Sequence, residues 1–168
     1  VDVRDREVVE EMTQTVIDEL GDISILVNNA GANFICPAEE MSANGWRSVV
    51  GTILDGTAYC TFSVGSHMLE NGGGSIISMG ATNSVNGAPY HSHSGAGKAG
   101  VHNLMQSVAS EWGSDGVRAN TVAPGYIKTE GVTEVQDEGD AGRIDDESII
   151  EKMAIKRPGR ASDCVPIT

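Results

Sequence analysis

A chain of 168 residues, 39% hydrophobic and 4% aromatic, is one domain of ordinary size, able to bury roughly 70% of the surface its unfolded form exposes. Its 11 Lys and Arg against 24 Asp and Glu give a net charge of −13, which would repel nucleic-acid phosphates and anionic membrane surfaces, so neither is expected as a partner. No apolar run reaches the about 20 residues of a membrane helix, and the opening Val1-Asp2-Val3-Arg4-Asp5 lacks the regions of a secretory signal, so a cytoplasmic protein is expected.

From Glu7 to Leu20, Val8, Val9, Met12, Val16, Ile17 and Leu20 recur at three- and four-residue steps among acids, and Gly21 follows as a helix-ending glycine. This predicts an amphipathic helix with one buried face. Ile23 to Val27, short and rich in β-branched residues, reads as a buried strand running into a polar loop, Asn28-Asn29-Ala30-Gly31. A second helix is expected from near Ser42, through Trp46, Val49, Val50, Ile53 and Leu54, to about Leu69, broken by Asn71-Gly72-Gly73-Gly74.

Ser75 to Met79 is a second strand, followed by a Gly- and Ser-rich loop and a helix from about Ser94 through Val101, Leu104, Met105, Val108 and Trp112. Val117 to Val122 is a third strand, stopped by Ala123-Pro124-Gly125. Strands alternating with helices predict an α/β fold of parallel β-α-β units, with the loops after Val27, Met79 and Val122 facing one crevice. After Thr129 the chain turns acidic, with a short helix near Asp146 to Met153 and an end that looks unstructured. Residues 1–168 read as a single domain whose part 130–168 is acidic and less ordered.

The acids are heaviest at residues 7–19 and 130–151, which fits an ordinary solvated surface as well as a protein of a high-salt cytoplasm. Cys36, Cys60 and Cys164 show no metal-ligand spacing, so neither a metal site nor a disulfide framework is expected. Gly95-Ala96-Gly97-Lys98-Ala99-Gly100 spells G-x-G-x-x-G, but His91-Ser92-His93-Ser94 precedes it where a strand should, and no Ser or Thr follows Lys98. Its small residues are read instead as letting a helix pack closely against a cofactor or a neighbouring helix.

Read together, Asn28-Asn29-Ala30-Gly31, Lys98 on its helix, Asn120, and Pro124-Gly125-Tyr126-Ile127 with Thr129 resemble the short-chain dehydrogenase/reductase family, a Rossmann-like fold. Ala32 to Glu39, Gly56 to Thr61, Ala81-Thr82 and Glu111-Trp112-Gly113 look most like its 2,4-dienoyl-CoA reductase branch. The resemblance implies NADPH, or NADH, as cofactor, an acyl-CoA as small-molecule substrate, and a homo-oligomer, dimer or tetramer. It places Asp2 and Val3 at the adenine, Asn29, Ala30 and Gly31 beside the cofactor, Pro124, Gly125, Ile127 and Thr129 at the nicotinamide carboxamide, and Lys98 on the nicotinamide ribose. Asn33, Phe34, Tyr90 and His93 fall where substrate would lie; packing roles for Tyr90 and His93 fit the residues equally.

The family usually carries a tyrosine four residues before the lysine, a serine seventeen before it and an asparagine in the preceding helix; here those positions hold Ser94, Ala81 and Ile53. A tyrosine, which ordinarily titrates near pH ~10, can protonate a developing alkoxide, and a serine is a far weaker acid. Reduction of a conjugated enoyl thioester asks less, since hydride adds to carbon and donors need only stabilise an enolate oxygen. Ser94, Thr82 or Asn83 would supply those donors. Some members of the branch carry a tyrosine fifteen before the lysine, where this chain has Asn83, so the residues leave the proton donor open.

Relative to the family, the first β-α-β portion and the last helix and strand are missing, so a partial sheet is expected. Two further readings stand beside the reductase: an inactive remnant or oligomer-forming module, and a 3-oxoacyl reductase or alcohol dehydrogenase of the same family.

Overall fold

The computed structural model describes residues 1–129 and 146–165. Helix α1, Arg6–Leu20, starts where the Asp5 carboxylate accepts from the backbone N–H groups of Glu7 and Val8, and stops at Gly21, whose φ of 88° favours glycine. Strand β1, Ile25–Asn28, begins two residues later than the apolar run suggests. Ile23 is diverted before it, its N–H directed 3.4 Å to Nε2 of His67.

The long helix expected from Ser42 is one helical rod in three parts. Ser42 caps α2, Ala43–Val50, by accepting from the Gly45 N–H at 3.0 Å. A π-helical turn, Gly51–Asp55, then widens the winding before α3, Gly56–Glu70. Gly72 and Gly73, at φ 92° and 99°, turn the chain sharply into β2, Gly74–Met79. The four-residue helix α4, Asn83–Asn86, occupies what the sequence shows as a loop. Helix α5, Ser92–Trp112, starts two residues earlier than its apolar stripe suggests, and β3, Val117–Val122, follows.

The three strands form one parallel sheet in the order β1-β2-β3, pairing Ile25 with Ser75 and Gly74 with Val117 in register. Side chains alternate across it. One set meets α3 and α5 in a core of Val64, Met68, Ile76, Met105, Val108, Val117 and Ala119. The other set includes Ile25 and Val27, which are 64% and 49% exposed. Helix α1 packs on α3, outside the sheet. This is the expected α/β architecture, a partial Rossmann-like sheet.

Asn28, read from the sequence as the start of a loop, is the last residue of β1 and is buried. Its Nδ2 donates to the hydroxyls of Thr61 and Ser78, both at 3.1 Å, tying the end of β1 to α3 and β2. Such pairing is what lets polar groups sit in a core.

Residues 146–165 carry two short helical elements and a bridge. Helix α6, Asp146–Lys152, matches the expected short helix. Beyond it a parallel bridge joins Ile127 to Gly159, with Lys128 N–H to the Gly159 carbonyl at 3.1 Å and Gly159 N–H to the Tyr126 carbonyl at 2.9 Å. The 3-10 turn Ala161–Asp163 is closed by the Asp163 carboxylate, which accepts from the Arg160 N–H and from the Arg157 guanidinium. Most of the acidic run at 130–151 lies outside the described residues.

Candidate active site

The C-terminal ends of three parallel strands splay into loops, and here those loops enclose a cleft of about 780 Å³. Asn29 and Gly31 follow β1, Gly80 and Ala81 follow β2, and Pro124 and Gly125 follow β3. This is the crevice the strand order predicts. Helix α5 supplies its floor through Ser94 and Lys98, four residues apart and therefore on one helix face.

Lys98 is partly buried, and its ammonium donates to the Met79 carbonyl at 2.5 Å. Burial pushes its pKa below the usual 10.5. Gly31 stands beside it, a Cβ there lying 3.9 Å from Nζ. Ser94 is 7% exposed yet lines the cleft. Ile53, from the π-helical turn, lies on the same wall, where the family pattern has an asparagine.

The glycines of the G-x-G-x-x-G stretch serve packing. A Cβ on Gly97 would lie 3.0 Å from Ile53 Cγ2, and one on Gly100 would lie 2.9 Å from both methyls of Leu54. The motif is interior to α5, with no strand before it, and lets this helix approach the α2–α3 rod.

Of the residues singled out from the sequence, the cleft is lined by Asn29, Gly31, Asn33, Ser94, Lys98, Pro124, Gly125, Ile127 and Thr129. Ala30, Phe34, Thr82, Asn83 and Tyr90 are not among its lining residues. Thr82 is exposed ahead of α4, and Asn83 has a buried Oδ1 without a hydrogen-bond partner. Tyr90 is 42% exposed and holds the left-handed φ of 64°, its carbonyl accepting from the Cys36 N–H. Asp2 and Val3 also lie outside the cleft. Asp2 is gripped by Arg4, at 2.6 Å between Nη2 and Oδ2, and this pairing lowers the pKa of its carboxyl to about 2. Val3 packs on α3, where a Cβ on Gly56 would meet its Cγ2 at 2.6 Å.

By sequence both His91 and His93 fit a loop, with packing an open role for His93; in the structure His91 lines the cleft just ahead of α5, whereas His93 lies within α5, fully buried against Phe34. The signal was available: His93, Gly97, Val101 and Met105 follow each other at four-residue steps on the buried face, but starting the helix at Ser94 leaves His93 off that stripe. The sequence also missed the wall made by Ala161, Cys164 and Val165, which the bridge at Gly159 carries over the cleft. Cys60 is buried, which raises its thiol pKa, as a core cysteine should show, whereas Cys36 is only half-buried. No cluster of metal-ligating side chains occurs among the described residues.

The family profile described as short chain dehydrogenase matches residues 1–140. The chain belongs to the short-chain dehydrogenase family. Among its relatives, the peroxisomal 2,4-dienoyl-CoA reductase of Saccharomyces cerevisiae is 34% identical over 169 aligned positions, 100% of this chain and 56% of that protein. The D-threitol dehydrogenase of Mycolicibacterium smegmatis is 40% identical over 129 residues, 77% of this chain and 50% of that one. Among solved structures, a gluconate 5-dehydrogenase from Burkholderia cenocepacia in complex with NADP and tartrate superposes with a TM-score of 0.91 at 26% identity, over 99% of this chain and 64% of that one. The chain thus spans about half the length of the curated relatives it matches. Among the described residues, no helix is long and apolar enough to cross a membrane.

Proposed function

We propose that this chain carries the nicotinamide-side half of an NADPH-dependent reductase acting on unsaturated acyl thioesters, like the 2,4-dienoyl-CoA reductases among its relatives. The observation that carries the reading is the pairing of Ser94 with Lys98 on one face of α5, in a cleft walled by Val27, Ile35, Ile53, Met79, Ile127 and Val165. Apolar walls suit an acyl chain better than a polyol.

The donor set fits the nicotinamide riboside. Among the described residues the Lys98 ammonium has one acceptor, the Met79 carbonyl, and it keeps further N–H groups for ribose hydroxyls. Asn29, Gly31, Pro124 and Gly125 line the same cavity. Asp2 and Val3 are assigned to the adenine. When bound, the dinucleotide supplies hydride.

Stabilising the charge that follows falls to side chains. Hydride arriving at the terminal carbon of a conjugated thioester sends charge to the thioester oxygen, and the resulting enolate then takes up a proton from water at carbon to complete the reduction. In this reading the Ser94 hydroxyl, 7% exposed, donates to that oxygen, and the Lys98 ammonium adds a positive field at short range. Of the three donors the sequence offered, Ser94 is the one that lines the cleft, and Thr82 and Asn83 are set aside. Carbonyl reduction to an alcohol asks for a stronger acid than serine, which favours the enoyl thioester over the sugar-alcohol substrates of other relatives.

Titration of the 168-residue protein with NADPH, followed by nicotinamide fluorescence, tests the reading. Saturable binding that is lost in Lys98→Ala is expected. Binding unchanged in that variant, or none in the folded wild type, removes the basis for the assignment.

A further inference from the structure

Among the described residues, His93 is the histidine with no solvent exposure, and the reductase chemistry does not use it. Its ring centre lies 4.4 Å from that of Phe34 with the planes tilted by 55°. Neither ring nitrogen has a hydrogen-bond partner, an arrangement that suits only the uncharged imidazole. Burial lowers its pKa below the usual 6.5 and a charge on His91 acts the same way; the Phe34 backbone, which faces the ring without closing a hydrogen bond on it, opposes both as the smallest of the three effects. Among the described residues, no carboxylate from α5, from the loop after β1 or from α2 acts on the ring.

What His93 touches gives this burial a use. Phe34 sits between Asn33 and Ile35, both of which line the cleft. On its far side Phe34 fills the space over Gly45 in α2, where a Cβ would lie 2.8 Å from its Cζ. His93 is also the residue before Ser94. The His93–Phe34 contact is therefore the joint between the start of α5, which carries Ser94, and the loop that walls the cleft. The same loop is also fastened by the Cys36 N–H to Tyr90 carbonyl bond, 3.2 Å, and by the packing of Ala32 and Phe34 on Val49, Ile53 and Val101.

We propose that His93 is a positioning residue that works only as the neutral imidazole: it holds Phe34, and with it the Asn33–Ile35 wall, against the start of α5, and its protonation releases that wall. A charged ring with no partner must be hydrated, and hydrating it requires Phe34 to move. A base whose pKa is depressed in the closed form gains protons on opening, so the closed wall is fully favoured above about pH 6.5 and is lost as pH falls through the lower folded-state value.

The test needs no ligand, so it can fail while the reductase reading stands, and the reverse. Hydrogen exchange of the amides of residues 32–36 is measured at about pH 7.5 and about pH 5.5, corrected for intrinsic rates. Exchange is expected to speed up roughly tenfold at the lower pH, while the amides of Ile76 to Ser78 stay unchanged. His93→Phe, which keeps a ring against Phe34, is expected to abolish the pH dependence. His91→Asn is expected to retain it, and His93→Ala to open the wall at both pH values. A wall equally protected at both pH values, a dependence that survives His93→Phe, or one that disappears in His91→Asn overturns the proposal. Should His93→Phe fail to fold, titration of the His93 ring nitrogens by NMR in the wild type decides. Ring protonation at the ordinary value, uncoupled from exchange of the wall, overturns it, and protonation below that value together with wall opening supports it.

Discussion

A partly buried ammonium needs acceptors, and Lys98 finds one in the Met79 carbonyl at the end of β2, which aims the side chain at the crevice where the strands stop. Because burial depresses its pKa from 10.5, dinucleotide binding that depends on its charge is expected to hold at neutral pH and to decline on the alkaline side before the usual lysine value is reached. A pH series of the NADPH titration reads this directly. Ser94 tests the chemistry instead of the binding. Removing a donor to a developing oxyanion costs roughly a hundredfold or more in kcat. Ser94→Ala is therefore expected to leave NADPH affinity unchanged and to lower dienoyl thioester turnover by about that factor; an equal loss in both would make Ser94 a packing residue. At this scale the sequence was informative wherever a residue's role depends on its neighbours along the chain. Ser94 and Lys98 share a helix face by spacing alone. His91 and His93 could not be sorted that way, because which one is buried depends on where α5 begins and on Phe34, 59 positions before His93 and brought beside it only by folding.

Two helices approach closely through glycine, and the approach sets where the floor of the cleft lies. On α3, a Cβ on Gly65 would run into the Trp112 ring of α5, and on α5, one on Gly97 would meet Ile53 at 3.0 Å. Gly65→Ala gains about 1 kcal/mol of helix propensity but pushes a rigid indole out of a packed layer, which typically costs about 1–3 kcal/mol. A lower midpoint of thermal unfolding is expected, and an unchanged or higher one would show that Trp112 has room to shift. The elements themselves were legible from periodicity: the expected strands at 75–79 and 117–122 agree with β2 and β3 to within one residue. The π-helical turn at Gly51–Asp55 was not, since nothing in a three-and-four spacing marks one extra residue in a turn. Nor was α4, too short to show a period.

For the whole molecule, charge is the dominant property that no contact explains. Exposed ion pairs such as Arg6 with Glu10, at 2.7 Å, offset little of the self-repulsion carried by a net charge of −13. Salt shortens the Debye length from about 10 Å at about 0.1 M to about 3 Å at about 1 M. The thermal midpoint is accordingly expected to rise as KCl is raised through that range. A flat or falling midpoint would mean that the acids are already compensated in the folded state.

The α/β alternation and the crevice at the strand ends followed from local order along the chain, because a β-α-β unit is written in consecutive residues and its handedness leaves little choice, and the family followed from the resemblance of its motifs. So did many of the residues that line that crevice, Asn29, Ser94 and Lys98 among them, but the packing around it did not. Asn28 turned inward to bind Thr61 and Ser78, His93 was buried while His91 reached the cleft, and Ala161, Cys164 and Val165 arrived from the far end of the chain through the bridge between Ile127 and Gly159. Each depends on partners 30 or more residues away, 33 for Asn28 and Thr61 and 50 for Asn28 and Ser78. Spacing along one element carries no information about such partners, so only the folded packing decided them.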